Sequence, residues 1–296
     1  MIEKVEEQIG NLVDQVGYDE VSKLFKTLKG GKRLRAKLVL KIAPECGDAP
    51  LLGAIIELIH AASLLHDDVI DDAALRRGVP SVNATEGSKT AVMLGDILYS
   101  KAFSSLAAFD REIARCVADA VTALSLGEMQ DVRMADAFND DAETYMAMLY
   151  NKTASLIEAS ARSAALLSGK DAERYALYGK NLGLAFQIID DILDIVSDEA
   201  TLGKPAMNDY VEGKCTLPYI YLYEALEGDD QTRLKSYHGK KLSAEESGWV
   251  KEKMQVHRCV EKSYALARAL SDEAVAAVPG EPELAAIIET MMQRSY

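Results

Sequence analysis

The chain has 296 residues, of which 49% are hydrophobic and 27% are charged, so it can bury a large core. Acidic residues outnumber basic ones by 47 to 33, and the formal net charge is −14 at pH 7. This charge argues against nucleic acid, or an anionic membrane, as a partner recognised through overall charge. The four cysteines form no CxxC or CxxH pair, so neither a zinc site nor a disulfide framework is predicted, and a cytoplasmic location is expected.

The N-terminal segment MIEKVEEQIGNLVDQVG is charged within its first turns and lacks the apolar stretch of a signal peptide. No run of about 18 apolar residues follows it, so no transmembrane segment is predicted. We therefore expect a soluble, unprocessed protein.

Residues 81 to 204 contain no proline and are rich in Ala, Leu, Met and Glu, which favours long helices. Three segments carry apolar residues at helical spacing around most of the circumference, which predicts core helices at 51–66, 91–109 and 181–196. YIYLY at 219–223 follows a Thr-Leu-Pro turn signal and is assigned to a helix. We predict an all-α fold, a single large helical bundle over residues 1–296, with loops at Lys29–Lys32, Arg76–Val82, Asp198–Lys214 and Gly228–Gln231.

The first acidic cluster lies in LLHDDVIDDAALRRG, where Asp67 and Asp71 are four residues apart. On a helix this spacing places both carboxylates on one face, about 6 Å apart. For an isolated DDxxD a solvated helix end is the favoured reading. Here, however, fifteen mostly apolar residues precede Asp67, and unneutralised like charges on a buried helix are costly. The adjoining His66 is interpreted as structural.

The second cluster, Asp190, Asp191 and Asp194 in FQIIDDILDIV, repeats both the spacing and the apolar setting. Magnesium prefers oxygen ligands and is usually held by one or two carboxylates together with phosphate oxygens of a substrate. Two such clusters on facing helices therefore suggest a bound diphosphate. Zinc is disfavoured because thiol and imidazole ligands are missing, and the DxDxDG loop of an EF-hand is absent.

Compact cationic groups could hold a second anionic substrate. In GGKRLR at 30–35, glycines give a flexible backbone, and Lys32 and Arg35 are expected one helical turn apart. Arg76 and Arg77 follow the first acidic cluster, and arginine can grip phosphate through two parallel hydrogen bonds. For either group alone, surface ion pairs would be favoured, and Lys152, Lys204 and Lys214 are individually weak signals.

The ordered set GGKRLR, DDVIDD, RRGVPSVN, NKTASL, FQIIDDILD, LGKP and EGKCTLP resembles the trans-polyprenyl diphosphate synthase family over residues 30 to 218. The resemblance implies the isoprenoid synthase type I fold around a central cavity, three Mg²⁺ ions per site and a homodimer. It also implies a prenyltransferase that condenses isopentenyl diphosphate head to tail with an allylic diphosphate. Ala36 departs from the family, which often has proline there.

The resemblance assigns the isopentenyl diphosphate site to Lys32, Arg35, His60 and Arg77. It assigns the allylic diphosphate site to Arg76, Lys152, Thr153, Gln187, Lys204 and Lys214. It implies that Asp67, Asp71 and Asp190 are the main magnesium ligands, and that Asp68, Asp191 and Asp194 complete the two metal motifs with a smaller share in coordination. Asp67, Asp71, Arg76, Lys152 and Lys204 would be catalytic, because they neutralise the leaving diphosphate while an allylic cation forms.

Product length is expected to depend on the helix before Asp67. Ala62 and Ser63 lie about one turn before Asp67 and Ile59 a further turn back, and the aromatic floor found in short-chain family members is absent. We predict products of about four to eight isoprene units, roughly C20–C40, at about 5.4 Å of helix per unit. The floor could instead lie on 91–109 or 121–134. Three alternatives stay open. A terpene cyclase is disfavoured by Asp190–Asp194 and GGKRLR, and a non-catalytic partner subunit is disfavoured by the intact motifs. The third is a helical bundle without metal chemistry, which would be favoured if Mg²⁺ with diphosphate did not raise the melting temperature.

Overall fold

The structure is a computed structural model that describes residues 1–28, 31–196 and 207–293. It divides into two compact units, one formed by Met1–Val121 with Leu156–Ala176 and the other by Thr122–Ser155 with Leu177–Tyr296. We call them unit 1 and unit 2. The predicted all-α class is confirmed, and the prediction of a single domain stays a prediction.

Unit 1 is built from helices and one short hairpin. Its elements are α1 (Ile2–Asp14), α2 (Asp19–Thr27), α3 (Leu34–Ile42), α4 (Ala49–Ile70), β1 (Leu75–Arg76), β2 (Val79–Pro80), α5 (Val82–Glu86), α6 (Ser88–Ser105), a 3₁₀ turn (Leu106–Ala108), the first part of α7 (Arg111–Ala135), most of α9 (Ser155–Leu167) and the start of α10 (Ala172–Val196).

Helix α4 forms the centre of unit 1 and packs against α1, α3 and α6. Pro50 lies in its first turn, where proline is favoured. From Ala49 to Leu65 most residues of the helix are apolar and buried. Within the described part of the chain, α4 alone is long and apolar enough to cross a membrane, but 67% of its most apolar window is buried in the protein. It is therefore the core helix of its unit rather than a membrane span.

The hairpin after α4 turns the chain sharply. β1 and β2 are antiparallel, with Leu75 opposite Pro80 and Arg76 opposite Val79. Both turn residues, Arg77 (φ 54°) and Gly78 (φ 75°), have positive φ, which matches the right-handed twist of a tight hairpin. The predicted loop at 76–82 thus contains a hairpin that fixes two arginines.

Unit 2 contains the end of α7 and most of α10. Its further elements are α8 (Ala142–Leu149), a π-helical turn (Tyr150–Ala154), α11 (Asn208–Val211), α12 (Leu217–Ala225), α13 (Gly228–Tyr237), α14 (Ala244–Val256), α15 (Cys259–Ala277) and α16 (Pro282–Met292).

Several local predictions can be compared with these elements. Residues 219–223 lie in α12, which confirms a helix there, whereas the loop predicted at Gly228–Gln231 is wrong because these residues form the first turn of α13. Asp229 and Asp230 in that turn favour the positive end of a helix. Of the other two loops, residues 29–30 and 198–206 lie outside the described residues, and Asn208–Val211 is helical. α4 and α10 are buried as predicted, but α6 exposes Val92, Met93 and Phe103.

Candidate functional site

The first aspartate cluster closes α4. Asp71 donates its backbone N–H to the carbonyl of Asp67 at 2.8 Å, so the two residues share the last helical turn. Asp71 is exposed and Asp67 half-buried. Their carboxylates lie at the negative end of the helix dipole, where a cation is favoured.

Asp68 differs from its neighbours because it is 3% exposed and its carboxylate accepts a hydrogen bond from Arg76 Nε at 2.5 Å. Burial raises the pKa of Asp68, and the Arg76 guanidinium opposes this shift. The hairpin therefore delivers Arg76 to a buried carboxylate. Asp68 and Arg76 form an internal ion pair next to the two outer carboxylates.

A cationic group lies near the start of α3. Gly31 closely approaches Arg77, since a Cβ at this glycine would lie 2.6 Å from Arg77 Nη1. The Nε of Arg35 is buried and has no hydrogen-bond partner among the described residues. Burial, and then Arg35 and Arg77, hold the pKa of His60 well below its ordinary value. Segments distant in sequence thus meet in one positively charged, partly buried place suited to an anion.

Glu57, which was not predicted from the sequence, supports this group. Its carboxylate is 4% exposed, accepts the backbone N–H of Ala36 at 3.1 Å and lies 3.5 Å from Arg33 Nη1. Glu57 therefore satisfies a backbone donor in the first turn of α3 and adds a negative charge near Arg35. One acid in an otherwise apolar helix, three residues before His60, was the available signal.

Lys32 does not share a helical turn with Arg35 as predicted. α3 begins only at Leu34, after Arg33, whose φ of 52° places it in the left-handed region. Arg33 is held there by Glu6 at 2.7 and 3.0 Å. Lys32 is exposed and precedes the helix.

In unit 2, Lys152 lies in the π-helical turn, a feature often found at functional sites. Its Nζ contacts Asp131 at 2.5 Å and Glu128 at 2.8 Å. Burial lowers the pKa of Lys152, but the two carboxylates raise it by more, so the side chain is cationic. Neither acid was predicted from the sequence, where their only signal was a spacing of three residues on one face of α7. Gly127 lets α7 approach, because a Cβ there would lie 2.6 Å from Lys152 Cα.

A chain of hydrogen bonds connects the π-helical turn to the second aspartate cluster. Thr153 donates its hydroxyl to Gln187 Oε1 at 3.2 Å, and Gln187 Nε2 donates to Asp191 Oδ1 at 3.0 Å. The Tyr145 hydroxyl donates to the other oxygen, Oδ2. Burial, and then the charge of Asp209, raise the pKa of Asp191 to about 8 despite these two donors.

Asp190 and Asp194 have different surroundings. Asp190 is half-buried, while Asp194 is 2% exposed, accepts the backbone N–H of Asp209 at 3.1 Å and, through its carbonyl, that of Met207 at 2.8 Å. Asp194 therefore anchors the backbone at the start of α11. Lys214 contacts Glu212 at 3.0 Å. The predicted contact Lys204 lies outside the described residues.

These unit 2 side chains surround a cavity of about 140 Å³. Its lining combines acids, two lysines and apolar residues: Asp131, Met134, Ala135, Tyr145, Met148, Leu149, Lys152, Thr153, Gln187, Asp191, Asp209, Lys214, Cys215 and Thr216.

The fit of the aspartates to magnesium can be judged from the donors they offer. Among residues 1–28, 31–196 and 207–293, no three acids, histidines or cysteines cluster closely enough to hold a metal alone. Asp67 and Asp71 offer only two carboxylates because Asp68 is occupied by Arg76. This incomplete set fits Mg²⁺, which is typically held by one or two carboxylates, water and substrate phosphates.

The three residues predicted to set product length are all buried on α4. Ile59 and Ala62 are 0% exposed and Ser63 is 4% exposed, with its hydroxyl donating to the carbonyl of His60 at 2.9 Å. Their assignment to a product channel stays a prediction.

Known proteins resemble this chain along most of its length. The family model "Polyprenyl synthetase" matches residues 19–254. A short chain isoprenyl diphosphate synthase of Methanothermobacter thermautotrophicus is 39% identical over 231 residues, covering 73% of this chain and 71% of that protein. An octaprenyl pyrophosphate synthase structure from Helicobacter pylori is 42% identical with a TM-score of 0.91, covering 99% and 97% of the two chains. A polyprenyl synthase from Caulobacter crescentus, complexed with calcium and isoprenyl diphosphate, is 28% identical with a TM-score of 0.89 over 99% and 94%.

Proposed function

We propose that this chain, which belongs to the polyprenyl synthetase family, condenses isopentenyl diphosphate head to tail with an allylic diphosphate. The chain is a trans-prenyltransferase with the isoprenoid synthase type I fold. One observation carries the assignment of its substrates. In unit 1 the basic residues Arg35 and Arg77, drawn from separate sequence segments, both lie close enough to His60 to act on it electrostatically, and Arg77 packs against Gly31. Asp67 and Asp71 belong to the same unit.

The basic residues of unit 1 are the proposed site for isopentenyl diphosphate. Arg35, His60 and Arg77, with Lys32, would bind the diphosphate of the isopentenyl substrate, and the burial of the Arg35 guanidinium strengthens its interaction with an anion. The neutral His60 imidazole would donate one hydrogen bond without adding charge. These contacts orient the nucleophilic double bond, so that an encounter in solution is replaced by a reaction between positioned groups.

The allylic diphosphate is assigned to Lys152, Thr153, Gln187 and Lys214, with Arg76 from unit 1 and Lys204. Asp67, Asp71 and Asp190 would hold Mg²⁺, at three ions per site, and the metal would neutralise charge on the leaving diphosphate. Lys152 remains cationic between Glu128 and Asp131, so its ammonium can stabilise negative charge that develops on the departing group. No side-chain base is nominated, and the departing diphosphate is the proton acceptor we propose.

The activity test uses purified protein with Mg²⁺, isopentenyl diphosphate and either farnesyl or geranylgeranyl diphosphate. Diphosphate release is expected, and Asp71→Asn should lower kcat/KM about 100-fold or more. Asp72→Asn is the matched control, since Asp72 is an exposed neighbouring acid with no assigned role and should retain activity. Absence of turnover, with activity restored by a second subunit, would instead identify a non-catalytic partner.

We also propose a product longer than farnesyl, of about four to eight isoprene units at roughly one unit per helical turn. The small side chain of Ala62 supports this, because it does not block its face of α4 as an aromatic side chain would. The series Ala62→Val, Ala62→Leu and Ala62→Phe should shorten the dephosphorylated products stepwise in chromatography. An unchanged chain length in a folded Ala62→Phe protein would place the channel elsewhere.

A homodimer is the assembly we propose. Exposed apolar side chains on two helices support this proposal. They are Val92, Met93 and Phe103 on α6, and Leu126, Met129 and Val132 on α7. Analytical ultracentrifugation should give twice the mass of the chain, and Met93→Lys should lower the measured mass towards that of the monomer. All four cysteines are free, which fits the reducing cytoplasm that we propose as the location.

A further inference from the structure

We infer that Tyr145 is a positioning residue for the allylic diphosphate, acting through Asp191 and Gln187 on Thr153. Tyr145 itself is not placed against substrate. The inference rests on the proposed function and deepens it. It also gives Asp191 a different role from its motif neighbour Asp190.

The first step is the location of Tyr145. It lies in α8, seven residues before Lys152, and is 2% exposed. Its hydroxyl donates to Asp191 Oδ2 on α10, so one buried hydrogen bond ties α8 to the aspartate cluster. A buried hydroxyl or carboxylate that loses its partner is costly, which makes this pairing a strong constraint on both side chains.

Both carboxyl oxygens of Asp191 have hydrogen-bond partners within the protein. One carboxylate oxygen accepts from Tyr145 and the other accepts from Gln187 at 3.0 Å, and the residue is 4% exposed. Both oxygens are thus engaged by side chains of the protein. The geometry makes Asp191 the group that holds these two side chains in place, instead of the metal ligand that the motif suggested.

The third step is the orientation of Gln187. Because its Nε2 donates to Asp191, its Oε1 is directed to Thr153, whose hydroxyl donates to it at 3.2 Å. Thr153 adjoins Lys152 in the π-helical turn, and all these residues line the same cavity. Loss of the Tyr145 hydroxyl would free Asp191 to rotate, and Gln187 and Thr153 would lose their fixed positions.

The test compares Tyr145→Phe with Tyr178→Phe in the full chain. Tyr178 is a matched control: it is equally buried in unit 2, and its hydroxyl donates to the carbonyl of Leu284 at 2.9 Å, away from these residues. Tyr145→Phe should raise KM for geranylgeranyl diphosphate about ten-fold and leave KM for isopentenyl diphosphate within about two-fold. Tyr178→Phe should lower the melting temperature and leave both KM values unchanged.

A binding measurement separates this inference from the proposed function. Calorimetric titration with geranylgeranyl diphosphate and Mg²⁺, without isopentenyl diphosphate, should show about ten-fold weaker binding to Tyr145→Phe than to Tyr178→Phe. Equal binding would overturn the inference even if the wild-type chain is active. Weaker binding to Tyr145→Phe would support it even if the wild-type chain gives no condensation product.

Asp191→Asn provides a second variant in case Tyr145→Phe does not fold. An amide retains one acceptor for Tyr145 but presents a donor to Gln187, so KM for the allylic substrate should rise as in Tyr145→Phe. The Mg²⁺ concentration for half-maximal activity should stay within about two-fold of the wild-type value. A large increase in that concentration would show that Asp191 is a metal ligand and would overturn the inference.

Discussion

Asp68 in unit 1 and Asp191 in unit 2 occupy the same position in their DDxxD motifs, and both are buried, yet their partners differ. Asp68 accepts from the charged Arg76 guanidinium, whereas Asp191 accepts from the neutral Tyr145 and Gln187. Burial raises the pKa of both carboxyls. For Asp68 the guanidinium opposes the shift, while for Asp191 the nearby Asp209 adds to it and brings the pKa to about 8. A motif position therefore does not fix a charge state, which depends on the charge of the partner.

The glycines near the two sites show a similar contrast. Gly127 in unit 2 lies against the backbone of Lys152, while Gly95 in unit 1 lies against the imidazole ring of His66. A ring at the end of a side chain can move, but the backbone of a π-helical turn cannot move without disturbing its neighbours. The unit 2 site should consequently tolerate less change than the unit 1 site.

The largest effect is expected from Gly127→Ala. Its Cβ would lie 2.6 Å from Lys152 Cα, so the π-helical turn must shift, at an expected cost of about 4 kcal/mol in the free energy of unfolding. Gly95→Ala should cost less, because the nearest atoms belong to the His66 ring. The control is Gly248→Ala in α14, which meets nothing within 4 Å and should stabilise by about 0.5–1 kcal/mol. Urea unfolding measures all three, and equal losses for Gly95→Ala and Gly127→Ala would contradict the contrast.

A smaller loss is expected when Asp68 is deprived of its partner. Arg76→Met leaves a carboxylate that is 4% exposed without its guanidinium and should cost about 3 kcal/mol in unfolding free energy. Asp68→Asn added to Arg76→Met should recover much of this loss, because no buried charge then remains. Guanidinium denaturation of the single and double variants measures the recovery. If Arg76→Met left the free energy of unfolding unchanged, the burial of Asp68 would not depend on this ion pair.

The pH dependence should distinguish the two aspartates. The folded-state pKa of Asp191, about 8, exceeds the unfolded value of about 3.9, so the folded protein keeps a proton that the unfolded chain releases. Stability from this group is complete below about pH 4 and is lost as the pH rises towards about 8. Without added divalent metal, wild type should lose about 2 kcal/mol relative to Asp191→Asn between pH 6 and pH 8. If unfolding at several pH values gives parallel curves for the two proteins, Asp191 is ionised in the fold.

The smallest effect concerns the turn after the first motif. Asp72 is exposed and has a φ of 48°, a conformation that glycine adopts without strain. Asp72→Gly should change the unfolding free energy by no more than about 0.5 kcal/mol and leave kcat/KM unchanged, since Asp72 has no assigned role. A marked loss of activity in steady-state assays would assign Asp72 to the site and extend the unit 1 cluster beyond Asp71.

The sequence by itself determined the helical class, the central helix α4 and both aspartate motifs, because helical periodicity and four-residue spacing are local properties. It also led to the prediction that Arg35 and Arg77 bind an anion, and the structure brings both close enough to His60 to act on it electrostatically. It misjudged the start of α13 and the turn shared by Lys32 and Arg35, since helix ends depend on a few residues and on their tertiary partners. Only the tertiary structure decided which motif aspartates are internal. Glu57, Asp131 and Tyr145 come from segments distant in sequence, and burial and pairing arise only when those segments pack together.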